Sequence, residues 1–159
     1  MGAKGEALAK QFEAKAREAM ATLEQLSEAD WKQVTAAEGW SVGVTAHHLA
    51  GALEAVSGMV KAVAAGQSLG NFRLDMLDEM NVRHAKDHAD CTRTETIGLH
   101  RQGAAAAAAA IRGLGDEQLA KSATLGPGGP TMTAEQLITR GLLNHIDEHF
   151  GSIRKTVGH

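Results

Sequence analysis

The fold class is clearest from one C-terminal stretch, TAEQLITRGLLNHIDEHFGSIRK, residues 133–155. Apolar side chains recur there every three to four residues, which is the period of an α-helix with one buried face. The members of this face are Ile138, Leu142, Ile146, Phe150 and Ile153. Thr133 followed three residues later by Gln136 has the pattern of a capping box, which marks a helix N-terminus. The stretch therefore predicts a long amphipathic helix that ends near Lys155.

Three further segments show the same helical period, which predicts four long helices in all. They span residues 5–26, 41–65 and 94–114, with Ser41 and Thr94 as N-caps and with Gly66 and Gly115 just after two of the ends. Shorter helical pieces are predicted at 27–34 after an N-cap at Ser27, at 73–89, and in one turn capped by Asp116. Residues 67–71 and the Gly- and Pro-rich residues 125–130 read as loops.

No segment alternates polar and apolar residues with a period of two, so we expect no β-sheet. Long helices separated by loops are typical of bundles. The sequence therefore predicts an all-α fold, an antiparallel four-helix bundle with short connecting helices. A chain of 159 residues fits one domain, so residues 1–159 are assigned to a single bundle.

Composition excludes several classes of function. The net charge is −3, which is not the basic footprint of a nucleic-acid-binding protein. No stretch is apolar enough for a membrane span, and residues 1–20 lack the features of a signal peptide. The single cysteine, Cys91, fits a reducing compartment. We expect a cytoplasmic protein that binds neither nucleic acid nor membrane.

The second long helix carries two adjacent histidines that point in different directions. Its apolar stripe consists of Leu49, Leu53, Val56, Val60 and Val63. His48 lies roughly 100° from the centre of this stripe, on a flank that can face the bundle interior. His47 lies about 160° away, so we expect it to face water.

The last helix places two more histidines on its apolar face. His149 falls inside the buried stripe and His145 on its edge, one turn apart at i and i+4. Burying two imidazoles without partners is costly, and metal coordination is one compensation. With His48 as a third ligand, the set becomes a three-histidine site with one open position, the pattern of catalytic zinc-type sites. We predict one divalent ion, zinc or nickel, although iron and manganese also accept imidazole.

A rival pair lies in the segment between the second and third long helices. His84 and His88 form another i, i+4 pair, on a face shared with Leu74, Leu77 and Asn81. This pair can replace or join the predicted set. The charged residues around it favour solvated or hydrogen-bonded histidines instead.

Three other reactive side chains receive no site role. His100 and His159 have no supporting partners in the sequence. Cys91 lies near a helix break with Arg93 nearby, and an inert surface thiol is favoured over a reactive one.

The chain resembles the DinB-like superfamily, which includes the metal-binding domain of mycothiol-dependent maleylpyruvate isomerases and YfiT-type proteins regarded as metal-dependent hydrolases. Three pieces in order carry the resemblance across nearly the whole chain. They are W-S-V at 40–42 followed by H-L-A at 48–50, the mid-chain Asn81 and Ala85 ahead of the helix near Thr94, and H-I-D-E-H at 145–149.

The resemblance implies a four-helix bundle with a divalent metal at its core and His48, His145 and His149 as ligands. Some members use a carboxylate ligand, but helical phase turns Asp147 away and leaves Glu148 marginal. Family members are commonly homodimers, which we expect here too. The isomerases carry a further C-terminal domain, and we expect this chain, whose sequence ends at residue 159, to lack it.

The family resemblance favours a metal-dependent enzyme that uses a low-molecular-weight thiol on a small-molecule substrate, as an S-transferase or isomerase. Asn81 and Glu148 are the candidate catalytic side chains, for orienting substrate and for proton transfer respectively. Two alternatives stay open: a metal-dependent hydrolase, and a non-catalytic metal-binding or stress-response protein that acts through dimerisation.

Overall fold

The structure is a computed structural model that describes residues 2–70 and 72–158. Its α-helices are α1 (Ala3–Gln25), α2 (Glu28–Lys32), α3 (Val42–Ala64), α4 (Leu77–Asp87), α5 (Arg93–Arg112), α6 (Asp116–Ala120), α7 (Ala134–Ile138) and α8 (Asn144–Val157). A 3₁₀ turn, Leu74–Met76, precedes α4, and a π-helical segment, Thr139–Leu143, joins α7 to α8. In the described part of the chain, no helix combines the length and the apolar character that crossing a membrane requires.

Four long helical rods pack as a bundle, which confirms the predicted all-α fold. The rods are α1, α3, α5 and the continuous C-terminal run of α7, the π-helical segment and α8. Helix α3 packs against α5, α7 and α8, while α1 packs mainly against α5. Each rod turns one apolar face inward, as the helical period predicted. On α1 that face consists of Ala9, Phe12, Ala16, Ala19 and Leu23, all buried.

Helices α3 and α5 approach closely because small residues line their contact. A methyl group added at Gly103 would lie only 3.0 Å from Cβ of Leu53 and 3.2 Å from the carbonyl oxygen of Ala50. Further along α5, Ala107 and Ala108 are buried in the same core. The close approach fixes the position of α3, which carries two of the histidines discussed below.

Two predicted helix starts were wrong by one or two residues. The N-cap of α5 is Thr92 rather than Thr94, since the Thr92 hydroxyl accepts a hydrogen bond from the Glu95 amide at 3.1 Å. Before α6 the N-cap is Gly115 rather than Asp116, and its amide donates to the Gln118 side chain at 2.9 Å. The predicted caps at Ser27, Ser41 and Thr133 are confirmed, because each hydroxyl accepts a hydrogen bond from the backbone amide three residues later.

The expectation of no sheet was wrong in one place. Strands β1 (Ser122–Thr124) and β2 (Thr131–Thr133) pair antiparallel, with Ala123 opposite Met132. Each strand has three residues, which is too short for a two-residue period to be recognised. The predicted loop at residues 125–130 is the connection of this hairpin.

The C-terminal rod contains a π-helical segment in the middle of the helix predicted from the sequence. A π turn widens the helix and shifts the phase of all residues after it. Gly141 lies in this segment, and a Cβ atom there would fall 2.8 Å from Cγ1 of Val56 on α3. The π segment thus lies directly against α3, immediately before the two histidines of α8.

Candidate metal centre

Three histidines from α3 and α8 converge inside one end of the bundle. His48, His145 and His149 each offer a side-chain nitrogen, and these nitrogens all lie within 4.8 Å of one another. The ring centroids are 5.3 Å apart for His48 and His145, 5.0 Å for His48 and His149, and 4.6 Å for the α8 pair. The structure therefore brings together the set that helical phase and family resemblance selected.

Local structure at the start of α3 positions His48. The Ser41 hydroxyl caps the helix by accepting from the Val44 amide at 3.0 Å. The adjacent Trp40 places its ring edge-on to His48, with centroids 5.3 Å apart. Two side chains of the W-S-V piece therefore position His48: Ser41 fixes where α3 begins, and Trp40 packs on the imidazole.

Burial keeps the imidazoles of His48 and His145 neutral. Burial, together with the neighbouring rings of His149 and His145, lowers the pKa of His48 to about 3. Burial also lowers the pKa of His145, followed by the effect of His149. Neutral imidazole is the form that binds metal, so His48 and His145 are ready to act as ligands at neutral pH without first losing a proton.

A carboxylate that the sequence analysis missed orients His149. Nδ1 of His149 donates to Oε2 of Glu38 across 3.3 Å, and Oε1 of Glu38 accepts from the Ser152 hydroxyl at 2.7 Å. Glu38 lies in the loop before α3, next to Gly39, whose φ of +73° permits the turn. It is 111 residues from His149 in the chain, and no motif or spacing connects the two residues.

The geometry and chemistry of the triad fit a divalent ion. Nitrogens bound to one zinc lie about 2.0–2.1 Å from it, so nitrogens this close to one another converge with small side-chain adjustments. A histidine ligand usually donates its second ring N–H to a carboxylate or a backbone carbonyl. His149 does so to Glu38.

The rival histidines form a second cluster of their own. His84 and His88 meet His47, and one side-chain nitrogen from each lies within 4.8 Å of the others. Nδ1 of His47 is 2.8 Å from Nε2 of His84, and the His47 ring stacks on His88 with centroids 4.2 Å apart. The expectation that His47 faces water was therefore wrong, because α4 packs over the side of α3 that helical phase alone assigned to solvent.

The candidate catalytic side chains lie outside the triad. Glu148 is exposed on α8, and its charge slightly opposes the lowering of the His145 pKa. Asp147 is also exposed and pairs with Lys15 at 2.6 Å, so it turns away from the histidines as predicted. Asn81 is half-buried on α4, three residues before His84.

His100 and Cys91 contact the backbone of neighbouring elements and lie apart from the triad. His100, expected to lack partners, is 1% exposed and donates from Nε2 to the Ala16 carbonyl at 3.1 Å. Cys91 is half-buried and burial raises the pKa of its thiol, which makes it a poor nucleophile at neutral pH. Its carbonyl accepts from the Trp31 indole at 2.9 Å. His159 lies outside the described residues.

Comparison with known proteins identifies the family. The family model described as the mycothiol maleylpyruvate isomerase N-terminal domain matches residues 12–145, which include His48 and His145. The chain belongs to this family. The resemblance to the DinB-like superfamily inferred from the sequence is thereby confirmed. No curated protein matches the chain in sequence.

Two solved structures share the fold of this family member. A crystal structure of the mycothiol-dependent maleylpyruvate isomerase superposes with a TM-score of 0.74 at 13% identity, over 94% of this chain and 60% of the isomerase. A crystal structure of a histidine-to-alanine mutant of a mycothiol-dependent maleylpyruvate isomerase gives 0.70 at 16% identity, over 96% and 65%. The chain thus spans less than two thirds of either isomerase.

Proposed function

We propose that the protein is a divalent-metal-dependent enzyme that acts with a low-molecular-weight thiol, in a transfer or isomerisation reaction on a small molecule. One observation carries the proposal: the half-buried His48 and His145 converge with the buried His149, which is held by Glu38. Three neutral nitrogen ligands with an oriented outer carboxylate are the usual surroundings of a catalytic ion.

The number of donors supports a catalytic rather than a structural ion. Among the described residues, the group that converges here contains three donors, all histidines. Structural zinc sites have four protein ligands, whereas catalytic sites have three and leave a position for water or substrate. A thiol cosubstrate can take that position.

The thiol is inferred from the family. The matched family and both solved structures carry mycothiol in their descriptions. When bound, a divalent cation supplies positive charge that favours the thiolate form of a ligated thiol, which is the nucleophilic form. The reaction class is therefore nucleophilic attack by a sulfur atom.

Residues around the triad orient the histidine ligands and shield them from water. Glu38 holds the neutral form of His149 in one tautomer. Trp40 covers one side of His48 with an apolar ring. Glu148 and Asn81 remain the candidates for proton transfer and substrate orientation. Since Glu148 is exposed, its role requires the substrate to reach the outer face of α8.

Cobalt substitution tests the proposal. We would load the protein with Co²⁺ and add glutathione or mycothiol as probes, following the visible and near-ultraviolet absorption. The proposal predicts a sulfur-to-cobalt charge-transfer band that is absent in His48→Gln and retained in Asp147→Asn, a matched change on the solvent side of α8. Absence of the band with both glutathione and mycothiol would contradict the proposal. If the same metal-loaded protein instead hydrolysed esters or amides without thiol, the hydrolase alternative would replace it.

A further inference from the structure

A second cluster of three imidazoles lies beside the triad, where α4 crosses α3. His47 and His48 are neighbours in the chain, and each belongs to a different cluster. The His84 ring lies between them, with centroids 5.0 Å from His47 and 5.7 Å from His48. Six histidines thus occupy one continuous region, and the two groups of three meet at the start of α3.

The hydrogen bonding of the second cluster is incomplete. Nε2 of His84 is engaged with Nδ1 of His47, but Nδ1 of His84 is buried and has no hydrogen-bond partner among the described residues. Leaving a buried ring nitrogen unpaired costs about 1–3 kcal/mol. His47 and His84 also hold two nitrogens 2.8 Å apart, a spacing at which one shared proton satisfies both, and a small separation of the rings would admit an ion bound to both nitrogens. Coordination of an ion by the cluster would replace this imperfect pairing.

Helix α4 has no fully buried side chain to anchor it on the bundle. None of its residues is buried, and Met80 and Val82 are 51% and 69% exposed. The two histidines that α4 contributes, His84 on its last turn and His88 at its C-terminus, are half-buried and contact α3 through His47. The other half-buried residues of this helix are Leu77, Asn81 and Ala85. A helix without a buried apolar face needs another source of stability, and a shared ion would supply it.

The electrostatic surroundings suit a cation. The carboxylates of Asp87 and Glu95 lie near His84 and His47 respectively and favour positive charge at these rings, so negative charge lies near the cluster. The cluster is only partly buried, so an ion has a route to it from solvent.

We propose that His47, His84 and His88 form a second divalent-metal site, separate from the triad of the proposed function. Three imidazole donors suit zinc, nickel, cobalt or copper rather than magnesium or calcium, which prefer oxygen. The ion clamps α4 onto α3 next to the first site. This proposal does not depend on the chemistry of the triad, because the two sites share no ligand.

Zinc stoichiometry tests the second site. We would strip the full chain with a chelator, add Zn²⁺, dialyse against zinc-free buffer and measure zinc per chain by mass spectrometry. The variants are His84→Gln/His88→Gln and, for the triad, His145→Gln/His149→Gln. Val82→Ala/Lys86→Ala is the matched control, since it changes an i, i+4 pair on the exposed part of the same helix. Circular dichroism confirms that each variant is folded.

The expected result is two zinc ions in the wild type and in the control, and one in each histidine variant. A His47→Gln variant should also hold one. The second site is overturned if the wild type binds a single zinc ion and His84→Gln/His88→Gln still binds it. It is also overturned if His84→Gln/His88→Gln retains two zinc ions. Loss of both ions on changing His84 and His88 also overturns it, since the clusters would then be one site. Failure of the proposed function gives a different result. The sulfur-to-cobalt band is then absent, while the ion bound by His47, His84 and His88 remains.

Discussion

Nδ1 of His149 lies 3.3 Å from Oε2 of Glu38, and the two side chains are only 8% and 9% exposed. The contact joins the loop before α3 to the last helix, and Ser152 donates to the same carboxylate. An ionised carboxylate only accepts hydrogen bonds, so in the neutral form of His149 the proton lies on Nδ1 and Nε2 keeps its lone pair. Glu38 therefore selects the tautomer that leaves Nε2 free for a metal ion.

Removal of this carboxylate should weaken metal binding at the triad. Outer-shell partners of histidine ligands typically contribute 10–100-fold in metal affinity, so Glu38→Ala should raise the zinc Kd by about that factor. Ser152→Ala, which removes only the hydroxyl that holds Glu38, should have a smaller effect. Competition with a chromophoric chelator measures both values in the His84→Gln/His88→Gln background. An unchanged Kd in Glu38→Ala, with Asp147→Ala as the exposed control, would show that Glu38 does not orient the ligand.

Gly141 should be intolerant of a side chain. A methyl group there meets Cγ1 of Val56 at 2.8 Å, so the π segment would have to move away from α3. Overpacking of this kind costs about 1–3 kcal/mol, and we expect Gly141→Ala to lower the free energy of unfolding by that amount. Gly151→Ala is the control, because a Cβ atom at Gly151 has no neighbour within 4 Å and alanine favours helix by up to about 1 kcal/mol. Urea unfolding of the metal-free proteins compares them, and equal stabilities would refute a close contact at Gly141.

Acid should destabilise the metal-free protein, in part through His100. Burial lowers the pKa of His100 from its ordinary value of 6.5, so below about pH 6.5 the unfolded chain binds a proton that the folded chain does not. The free energy of unfolding is therefore unaffected by His100 above that pH and decreases as the pH falls below it. Gln keeps an N–H donor for the Ala16 carbonyl but does not titrate. Between pH 7 and 5, His100→Gln should show a shallower loss of stability than the wild type; parallel curves from urea unfolding would contradict this role.

Zinc should protect α4 from trypsin. Arg83 and Lys86 are exposed on this helix and become cleavable when it opens. A ligand at about 100 times its Kd stabilises the bound form by about 2.7 kcal/mol, so cleavage at these residues should slow at least tenfold when zinc is added. In His84→Gln/His88→Gln, zinc should have no effect on the rate. Equal rates with and without zinc in the wild type would mean that no ion holds α4.

The sequence predicted the bundle and the triad because both depend on helical phase. A stripe of apolar residues fixes which face of a helix is buried, and His48, His145 and His149 lie on or beside such stripes. His47 was misplaced for the same reason: the stripe of α3 describes contacts with the bundle core and gives no information about α4, which packs on another side. The three-residue strands left no period to detect.

Glu38 could not be found from the sequence. It lies in a loop, outside any periodic segment, and its partner His149 is far along the chain. The only local signal is the following Gly39, which marks a turn but does not indicate where the preceding side chain points. The π segment was also invisible, since apolar spacing around Gly141 fits an ordinary α-helix equally well.

The most direct test of the account is zinc binding by a protein that keeps only the triad. We would titrate metal-free His84→Gln/His88→Gln with Zn²⁺ at pH 7 by calorimetry, beside the same protein with His145→Gln and His149→Gln added. The account predicts one zinc ion per chain in the first protein and none in the second. No binding in the first protein, or equal binding in both, would contradict a metal centre formed by His48, His145 and His149.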